Sequence, residues 1–328
     1  MKIRILGLLI AGVLTAAQPA LAQTPVDAPP TRLAFDNIAD DFLAFWDATR
    51  DLPTPERVAA FKRDVAPLFP EFYGIERFGG RTTQEQLDQR LASSIEGFAA
   101  IRDAYASKLQ AFDASLTENL GSFLIAFPDF RPTIEVHLLH SLGEMDGGIR
   151  ALGGKAHLIF GADVMVRSLA GARDTPFFHH ELFHVHHSAT FNGCGQEVWC
   201  RLWREGLAVH VADQLNAGAT PQELLLAYPL DLAPRTDARI GDAWAHLNSV
   251  MTSTDREVAA GLFQMRDDGT GLPIRRGYYL GYLVAKRLGA DRDLKTLASL
   301  SVEEARPLVF AAVAELAAEH PVRSTSAP

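Results

Sequence analysis

The sequence has little cysteine, no basic run and no long apolar stretch after its first residues. Only 2 of its 328 residues are cysteine, which excludes a disulfide-rich scaffold and a four-cysteine zinc site. Aspartate and glutamate outnumber lysine and arginine by 40 to 31, so the formal net charge is −9 and a nucleic-acid partner is not expected. With 48% hydrophobic and 22% charged residues, the composition is that of a globular chain of one or two domains.

The N-terminal stretch MKIRILGLLIAGVLTAAQPALAQ predicts an export signal. It combines basic residues, an apolar run and an A-x-A site at positions 20–22, the pattern of a signal peptide that spans residues 1–22 and is cleaved before Gln23. The alternative is a membrane anchor, but the apolar run over 5–17 is shorter than the ~20 residues that a spanning helix needs. We therefore expect a periplasmic or secreted protein with no membrane span after cleavage.

The two cysteines, Cys194 and Cys200, lie close together in the stretch NGCGQEVWC. In an exported protein such a pair is expected to form a disulfide, and the glycines on both sides of Cys194 favour a loop that allows it. The alternative interpretation is a reactive thiol.

Hydrophobic periodicity predicts a mainly helical α+β fold. Apolar residues recur at helical spacing over 35–46 and 83–120, and the second stretch is long enough for two helices. Two short apolar segments bounded by glycine-rich turns, 133–140 and 155–164, predict strands of a small sheet. The C-terminal third again has the periodicity of helices.

Five of the eleven histidines lie within FFHHELFHVHH, residues 177–187. A capping threonine and a first-turn proline at 175–176 predict that a helix begins here. His180 and His184 are four residues apart, so a helix presents both rings on one face, where both can bind one metal ion. Glu181 lies beside that face, where it can accept a proton from water.

A catalytic zinc site of this kind needs a third protein ligand. One known pattern places a histidine six residues after the second ligand, but this chain has Thr190 there, which excludes that pattern. Another pattern takes a glutamate from the next helix. Glu205 is far enough after His184 for a loop and a returning helix, and it lies on an apolar helical stripe beside tryptophans. Burial of a lone carboxylate is costly unless it is paired or bound to metal. The competitor, Glu197, we interpret as an acid stabilised by a helix start.

The motif HELFH followed by WREGLA resembles the gluzincin group of zinc metallopeptidases, whose ligands are two histidines and one glutamate. Aminopeptidase-N-like enzymes have a similar W-x-x-E-G-x-A stretch. The resemblance covers roughly residues 155–290. The chain also resembles a family of bacterial, exported, predicted zinc-dependent proteases. It implies a zincin-like metallopeptidase domain, 131–328, in which a small sheet packs on the HExxH helix and further helices follow. The region 23–130 would add N-terminal helices.

The resemblance implies one Zn²⁺ per chain, bound by His180, His184 and Glu205, with Glu181 as the general base of peptide-bond hydrolysis. Two imidazoles and a carboxylate also bind Fe(II) or Mn(II), but the adjacent glutamate favours hydrolysis over oxygen chemistry. The partner would be a peptide or protein substrate. The alternative function is an exported metal-binding scaffold or binding protein with a non-catalytic zincin site.

The stretch GYYLGYLVAKRLG is similar to the Tyr-x-x-Gly segment that supplies the oxyanion-binding tyrosine of these enzymes. The match implies that role for Tyr278, with Gly281 as the glycine, and Tyr279 is the alternative. We interpret the preceding Arg275 and Arg276 as surface charges rather than as ligands of a substrate carboxylate.

The chain departs from the related enzymes in two places. It lacks the Gly-Ala-Met-Glu-Asn sequence that binds a free substrate amine, so an aminopeptidase assignment does not carry over. Thermolysin-like enzymes have an aspartate four residues after the ligand glutamate, where this chain has Val209. The candidates for hydrogen bonds that orient the metal ligands are therefore His187, His210 and Asp213.

The remaining histidines give weaker signals. His179 and His186 lie off the face shared by the two ligand histidines. His137, His140 and His157 fall in the strand-like segments, and we interpret them as structural or surface groups.

Overall fold

The computed structural model describes residues 29–322, so the predicted signal peptide over 1–22 and its cleavage site lie outside the described residues. Helices dominate the described part and the strands form one small mixed sheet, which confirms the mainly helical α+β fold. The helices are α1 (Ile38–Thr49), α2 (Thr54–Asp64), α3 (Pro70–Tyr73), α4 (Gln84–Gly97), α5 (Arg102–Ala126), α6 (Ala162–Ser168), α7 (Thr175–Thr190), α8 (Val198–Leu215), α9 (Leu232–Asp237), α10 (Ile240–Val250), α11 (Arg256–Phe263), α12 (Arg276–Leu288), α13 (Leu294–Ala298) and α14 (Val302–Glu319). Short 3₁₀ helices cover Ala66–Leu68, Glu76–Phe78 and Phe98–Ala100. The strands are β1 (Asp36–Asn37), β2 (Glu135–Leu139), β3 (Gly147–Leu152) and β4 (Lys155–Gly161).

The long periodic stretch 83–120 forms two helices, as its length predicts. Helix α4 begins with a capping box: the Thr83 hydroxyl accepts a hydrogen bond from the Gln86 N–H, and the Gln86 side chain accepts one from the Thr83 N–H. The helix ends at Gly97, and α5 continues after a 3₁₀ turn.

The predicted strand over 155–164 ends earlier than expected, at Gly161, because α6 begins at Ala162. The carboxylate of Asp163 in the first turn of α6 accepts hydrogen bonds from the backbone N–H groups of Ser141 and Gly143. These bonds hold the start of α6 against the turn that follows β2.

The sheet has the strand order β1-β2-β4-β3. Strand β2 is parallel to β1 and β4, whereas β3 pairs with β4 in the antiparallel direction and forms one edge. Strands β3 and β4 are joined through Gly153 and Gly154, whose φ angles of 56° and 81° suit glycine in a tight hairpin turn. This hairpin places β3 beside α7.

One apolar core extends through the described residues from α1 to α14. It crosses the predicted boundary near residue 130, since the Phe112 ring of α5 contacts the rings of Phe160 in β4 and Phe178 in α7. The N-terminal helices therefore pack directly on the elements that carry the histidine-rich helix. Among residues 29–322, no helix combines the length and the apolar character needed to cross a membrane.

Candidate metal centre

Helix α7 carries the five clustered histidines. It begins at Thr175, with Asp174 in the N-cap position and Pro176 in the first turn. The predicted cap at Thr175 is therefore wrong by one residue. The Asp174 carboxylate forms an ion pair with Lys108 of α5, which fixes the start of α7 against the N-terminal helices.

Three side chains converge between α7 and α8. The Nε2 atoms of His180 and His184, one turn apart on α7, are separated by 2.9 Å. The Oε2 atom of Glu205, on α8, lies 3.2 Å from the His184 Nε2 atom and 3.7 Å from the His180 Nε2 atom. We call these three residues the helix cluster. The tertiary structure thus brings together the three side chains that the sequence indicates as ligands.

The spacing within the helix cluster fits a zinc ion. In a tetrahedral site with zinc–ligand bonds of about 2.0–2.1 Å, the ligand atoms stand roughly 3.3 Å apart. The observed separations of 2.9, 3.2 and 3.7 Å scatter about that value. Two imidazole nitrogens and one carboxylate oxygen are donors that zinc prefers, and three protein ligands leave one position open.

Local charge favours the ionised form of Glu205. Burial by itself raises the pKa of this carboxyl group, but the neighbouring His184 and His180 outweigh burial and hold the pKa well below its ordinary value. Arg201, one turn earlier on α8, places its Nε atom 3.8 Å from the Glu205 Oε1 atom. The deprotonated carboxylate is the form that binds a cation.

Glu181 is a buried carboxyl group on the same helix as the two histidines. Its side chain is 4% exposed, and its Oε2 atom has no hydrogen-bond partner among the described residues. Burial, together with the negative charge of Asp146, raises the pKa of the Glu181 carboxyl group to about 8. An unpaired buried carboxyl group is costly, and this one lies on the same helix as the two histidines of the helix cluster.

Strand β3 approaches this carboxyl group through a glycine. A Cβ atom added to Gly147 would lie 2.7 Å from the Phe177 ring and 2.8 Å from the Glu181 Cδ atom, so a larger residue would displace these side chains. The close approach sets the start of the edge strand directly on α7. It also closes one side of the space around Glu181.

Helices α8 and α12 cross at two glycines. A Cβ atom added to Gly281 would lie 2.5 Å from the Leu202 carbonyl oxygen and 2.9 Å from the Gly206 Cα atom. The glycine of Tyr-x-x-Gly therefore packs against the glycine that follows Glu205. Because Tyr278 lies one turn before Gly281, this crossing brings the tyrosine close to the helix cluster.

Three tyrosines of α12 have different surroundings. Burial, together with the negative charge of Glu205, raises the pKa of the Tyr278 phenol to about 12, and the Arg275 guanidinium lies over its ring at 4.7 Å. The Tyr279 hydroxyl instead donates to the Asp237 carboxylate at 2.9 Å. The Tyr282 hydroxyl donates to Asp213 at 3.0 Å. Of the two tyrosines that the sequence leaves open, Tyr278 is the one influenced by Glu205.

The other three histidines of α7 contact polar groups or aromatic rings of the core. Each ring nitrogen of His179 has a partner: Nε2 lies 2.8 Å from the Ser122 hydroxyl and Nδ1 lies 2.9 Å from the Asn216 amide. His186 packs among phenylalanines, with Phe127 nearest at 4.7 Å between ring centroids. His187 stacks between Phe183 and Phe191, with centroid distances of 5.1 and 4.9 Å.

The structure also gives the contacts of the other candidate residues from the sequence. His210 points toward Gly289 at the C-terminal end of α12, and Asp213 accepts the hydrogen bond from Tyr282 described above. Glu197 accepts a hydrogen bond from the Trp199 indole at 2.8 Å and pairs with Arg306, in keeping with a structural role.

The interpretation of Arg276 as a surface charge is wrong, because its side chain is fully buried. It forms an ion pair of 2.5 Å with Asp268 and donates a hydrogen bond to the Pro273 carbonyl. The guanidinium thereby holds the loop before α12 in place.

Cys194 and Cys200 lie at disulfide distance, with their Cα atoms 5.8 Å apart. The pair joins the loop after α7 to the first turn of α8, the two helices that supply the helix cluster. Its place in the fold agrees with the pairing expected from the sequence.

Sequence reasoning missed three residues around the helix cluster: Asp146, Gly147 and Arg201. The signal for Gly147 is the glycine pair in EMDGG, because glycine at such a position often marks a close backbone approach.

Comparison with protein-family models, curated proteins and solved structures gives no match for this chain. The geometry itself brings two imidazoles and one carboxylate together, with the buried Glu181 carboxyl group on the same helix.

Proposed function

We propose that this protein is an exported zinc-dependent peptidase that hydrolyses peptide bonds of a peptide or protein substrate. The observation that carries the proposal is the helix cluster with Glu181 beside it, a buried carboxyl group whose Oε2 atom lacks a partner. A structural zinc site needs no base next to the ion, whereas a hydrolytic site does. The export pattern at the N-terminus supports a periplasmic or secreted location.

A zincin-like arrangement, with a small sheet packed on the HExxH helix, is part of this proposal. It is supported by the contact between Gly147 of β3 and the side chains of Phe177 and Glu181 on α7. The origin of the glutamate ligand on the following helix also agrees with the gluzincin pattern. The edge strand, the histidine pair and the third ligand then share one site.

Glu181 is the proposed general base. His180, His184 and Glu205 would hold a Zn²⁺ ion, which when bound would supply a Lewis acid for a water molecule and the scissile carbonyl group. Glu181 accepts the proton of the attacking water and returns it to the departing amine. The burial that raises the pKa of this carboxyl group makes the Glu181 carboxylate a stronger base than an exposed one.

Tyr278 is the proposed hydrogen-bond donor to the oxyanion. A donor must keep its proton at the working pH, and a phenol whose pKa is raised to about 12 does so. The Arg275 guanidinium over the ring and the glycine crossing below it restrict the orientation of the side chain. A preorganised donor stabilises developing charge without the cost of reorientation.

The test of this proposal is Glu181→Gln in the purified protein. We expect zinc content to stay at the wild-type level while cleavage of a peptide library falls by about 10²–10⁴-fold, the contribution typical of a general base. The amide keeps the size of the side chain but cannot accept the proton. Zinc is measured by elemental analysis and cleavage by mass spectrometry.

The matched control is Glu197→Gln, a nearby glutamate bound to Trp199 and Arg306. This variant should keep both zinc and cleavage. Cleavage at the wild-type rate by Glu181→Gln would refute the mechanism. A wild-type protein that binds zinc but cleaves no peptide would instead establish the metal-binding scaffold.

A further inference from the structure

Four polar side chains lie on one face of the sheet, away from the proposed catalytic residues. Glu135 and His137 are two residues apart on β2 and therefore point to the same face. Strand pairing places His157 of β4 opposite Glu135, and Asp36 of β1 opposite His137. Three adjacent strands thus bring two imidazoles and two carboxylates together.

Three of these side chains direct ligand atoms toward one another. The Nε2 atom of His137 lies 3.0 Å from the Nδ1 atom of His157, and the Glu135 Oε2 atom lies 3.4 Å from that same Nδ1 atom. We call Glu135, His137 and His157 the strand cluster. The two separations resemble the roughly 3.3 Å between ligand atoms of a tetrahedral zinc site.

The outer nitrogens of both imidazoles face acceptors. The His157 Nε2 atom lies 3.3 Å from the Leu152 carbonyl oxygen, which can only accept, so this nitrogen carries the proton. The His137 Nδ1 atom lies 3.4 Å from the Asp36 Oδ2 atom and has no hydrogen-bond partner among the described residues. Metal-binding histidines nearly always direct the outer N–H group to a carbonyl or a carboxylate.

A neutral His137 does not satisfy both of its neighbours. With its proton on Nε2 it donates to His157, but its Nδ1 lone pair then faces the Asp36 carboxylate. With its proton on Nδ1 it faces Asp36 correctly, but two imidazole lone pairs then meet at 3.0 Å. A cation between the inner nitrogens removes this conflict, whereas a second proton would place an imidazolium on a ring that is 7% exposed.

We propose that the strand cluster binds a second divalent transition-metal ion of the zinc class. The ion would join β2 to β4, and the Asp36 carboxylate, 3.4 Å from the His137 Nδ1 atom, would hold β1 beside the same site. Both imidazoles are buried, but the Glu135 side chain is 50% exposed, so an ion reaches the site from that side. Glu135 now pairs with Lys155 at 2.9 Å and would share its carboxylate with the ion.

The role of this second site is structural. The carboxylates around it are the exposed Glu135 and Asp36, whereas Glu181, the buried base candidate, belongs to the helix cluster. The inference is therefore independent of the proposed hydrolysis. It holds or fails on metal binding alone.

The test begins from the double variant His180→Ala/His184→Ala, which removes two ligands of the helix cluster. After removal of metal by a chelator and dialysis, the protein is titrated with Zn²⁺ by calorimetry, and bound zinc is measured by elemental analysis. We expect one equivalent of zinc to remain bound. The further changes His137→Ala/His157→Ala should abolish that equivalent.

Two further variants separate loss of ligands from loss of fold. Asp36→Asn leaves all three proposed ligands in place but weakens the acceptor of His137, and it should lower zinc affinity by about 10–100-fold. His140→Asn changes a buried histidine outside both clusters and should leave zinc affinity unchanged. Circular dichroism verifies folding of each variant. The proposal is overturned if the first double variant binds no zinc, or if the bound equivalent survives removal of His137 and His157.

Discussion

The helix cluster and the strand cluster contain the same ligand types, two histidines and one glutamate, but have different surroundings. The helix cluster has all three members partly buried and the unpaired carboxyl group of Glu181 at its side. The strand cluster has two buried histidines and an exposed Glu135 that pairs with Lys155. The two sets of ligand types are therefore alike, and a buried carboxyl group such as Glu181 next to a set is what would separate a catalytic ion from a structural one.

The two clusters also arise from different local geometry. In the helix cluster, a spacing of four residues on one helix creates the histidine pair, and only Glu205 comes from elsewhere. In the strand cluster, no two histidines share a strand, so the pair exists only through the register of β2 with β4. The first pair can therefore be identified from sequence spacing, and the second cannot.

Removal of one histidine from each cluster should affect the two sites differently. His184→Ala should lower kcat/KM for peptide cleavage by about 10³-fold or more, because a Lewis acid supplies several kcal/mol of transition-state stabilisation. His157→Ala should leave kcat/KM unchanged and should lower Tm more when zinc is present than when it is absent, since a bound ion stabilises the folded wild type by about 2.7 kcal/mol at 100 times its Kd. An equal loss of cleavage in both variants would contradict the distinction.

Loss of the Tyr278 hydroxyl, near the helix cluster, should have the next largest effect. Tyr278→Phe should lower kcat by about 10²-fold with little change in KM, the effect of losing one donor to an oxyanion. Tyr279→Phe, the matched control, removes only the hydrogen bond to Asp237 and should leave kcat unchanged. The reverse result, with the larger loss in Tyr279→Phe, would assign the oxyanion role to the neighbouring tyrosine.

The smallest expected effect concerns His140, a buried histidine that belongs to neither cluster. It stacks on Phe42 with ring centroids 3.5 Å apart, and its Nε2 atom lies 2.7 Å from the Ser94 hydroxyl. Burial lowers the pKa of His140 to about 4. Because its ordinary pKa is about 6.5, the unfolded chain binds the proton first. The stability from neutral His140 is therefore fully present above pH 6.5 and is lost as pH falls toward 4.

Between pH 7 and pH 5 this group should lower the free energy of unfolding by about 2 kcal/mol, at about 1.4 kcal/mol for each pH unit below 6.5. The measurement is urea unfolding at both pH values, with a chelator present so that metal release makes no contribution. His140→Asn should show a smaller pH dependence than the wild type by that amount. Equal pH dependence would mean that burial of His140 does not set its pKa.

Much of the fold and part of the site could be predicted from local patterns. The division of 83–120 into two helices follows from periodicity and the capping box at Thr83. The pairing of His180 with His184 follows from helical spacing. In contrast, the end of β4 at Gly161 depends on Asp163, whose carboxylate binds backbone groups about twenty positions earlier. Local propensity contains no information about such a distant partner.

The burial of Arg276 shows the same limit. A pair of arginines before a helix is typical of a solvent-exposed turn, but Asp268 and the Pro273 carbonyl compensate the buried charge. Those partners come from a loop whose conformation is set by tertiary packing. Composition alone therefore assigned the wrong environment to this residue.

Local spacing was enough to predict that His180 and His184 share one face of a helix and that Glu181 lies beside it, because these residues are separated by fewer than two helical turns. The tertiary structure added that the Glu205 carboxylate, expected from the sequence as a ligand, lies within 3.2 Å of His184, and that Tyr278 rather than Tyr279 feels the charge of Glu205. It alone decided that β2 and β4 bring a second cluster together. Each of these depends on the approach of separate elements, through the Gly206–Gly281 crossing or through strand register. Such approaches follow from packing over the whole core, which no short stretch of residues specifies.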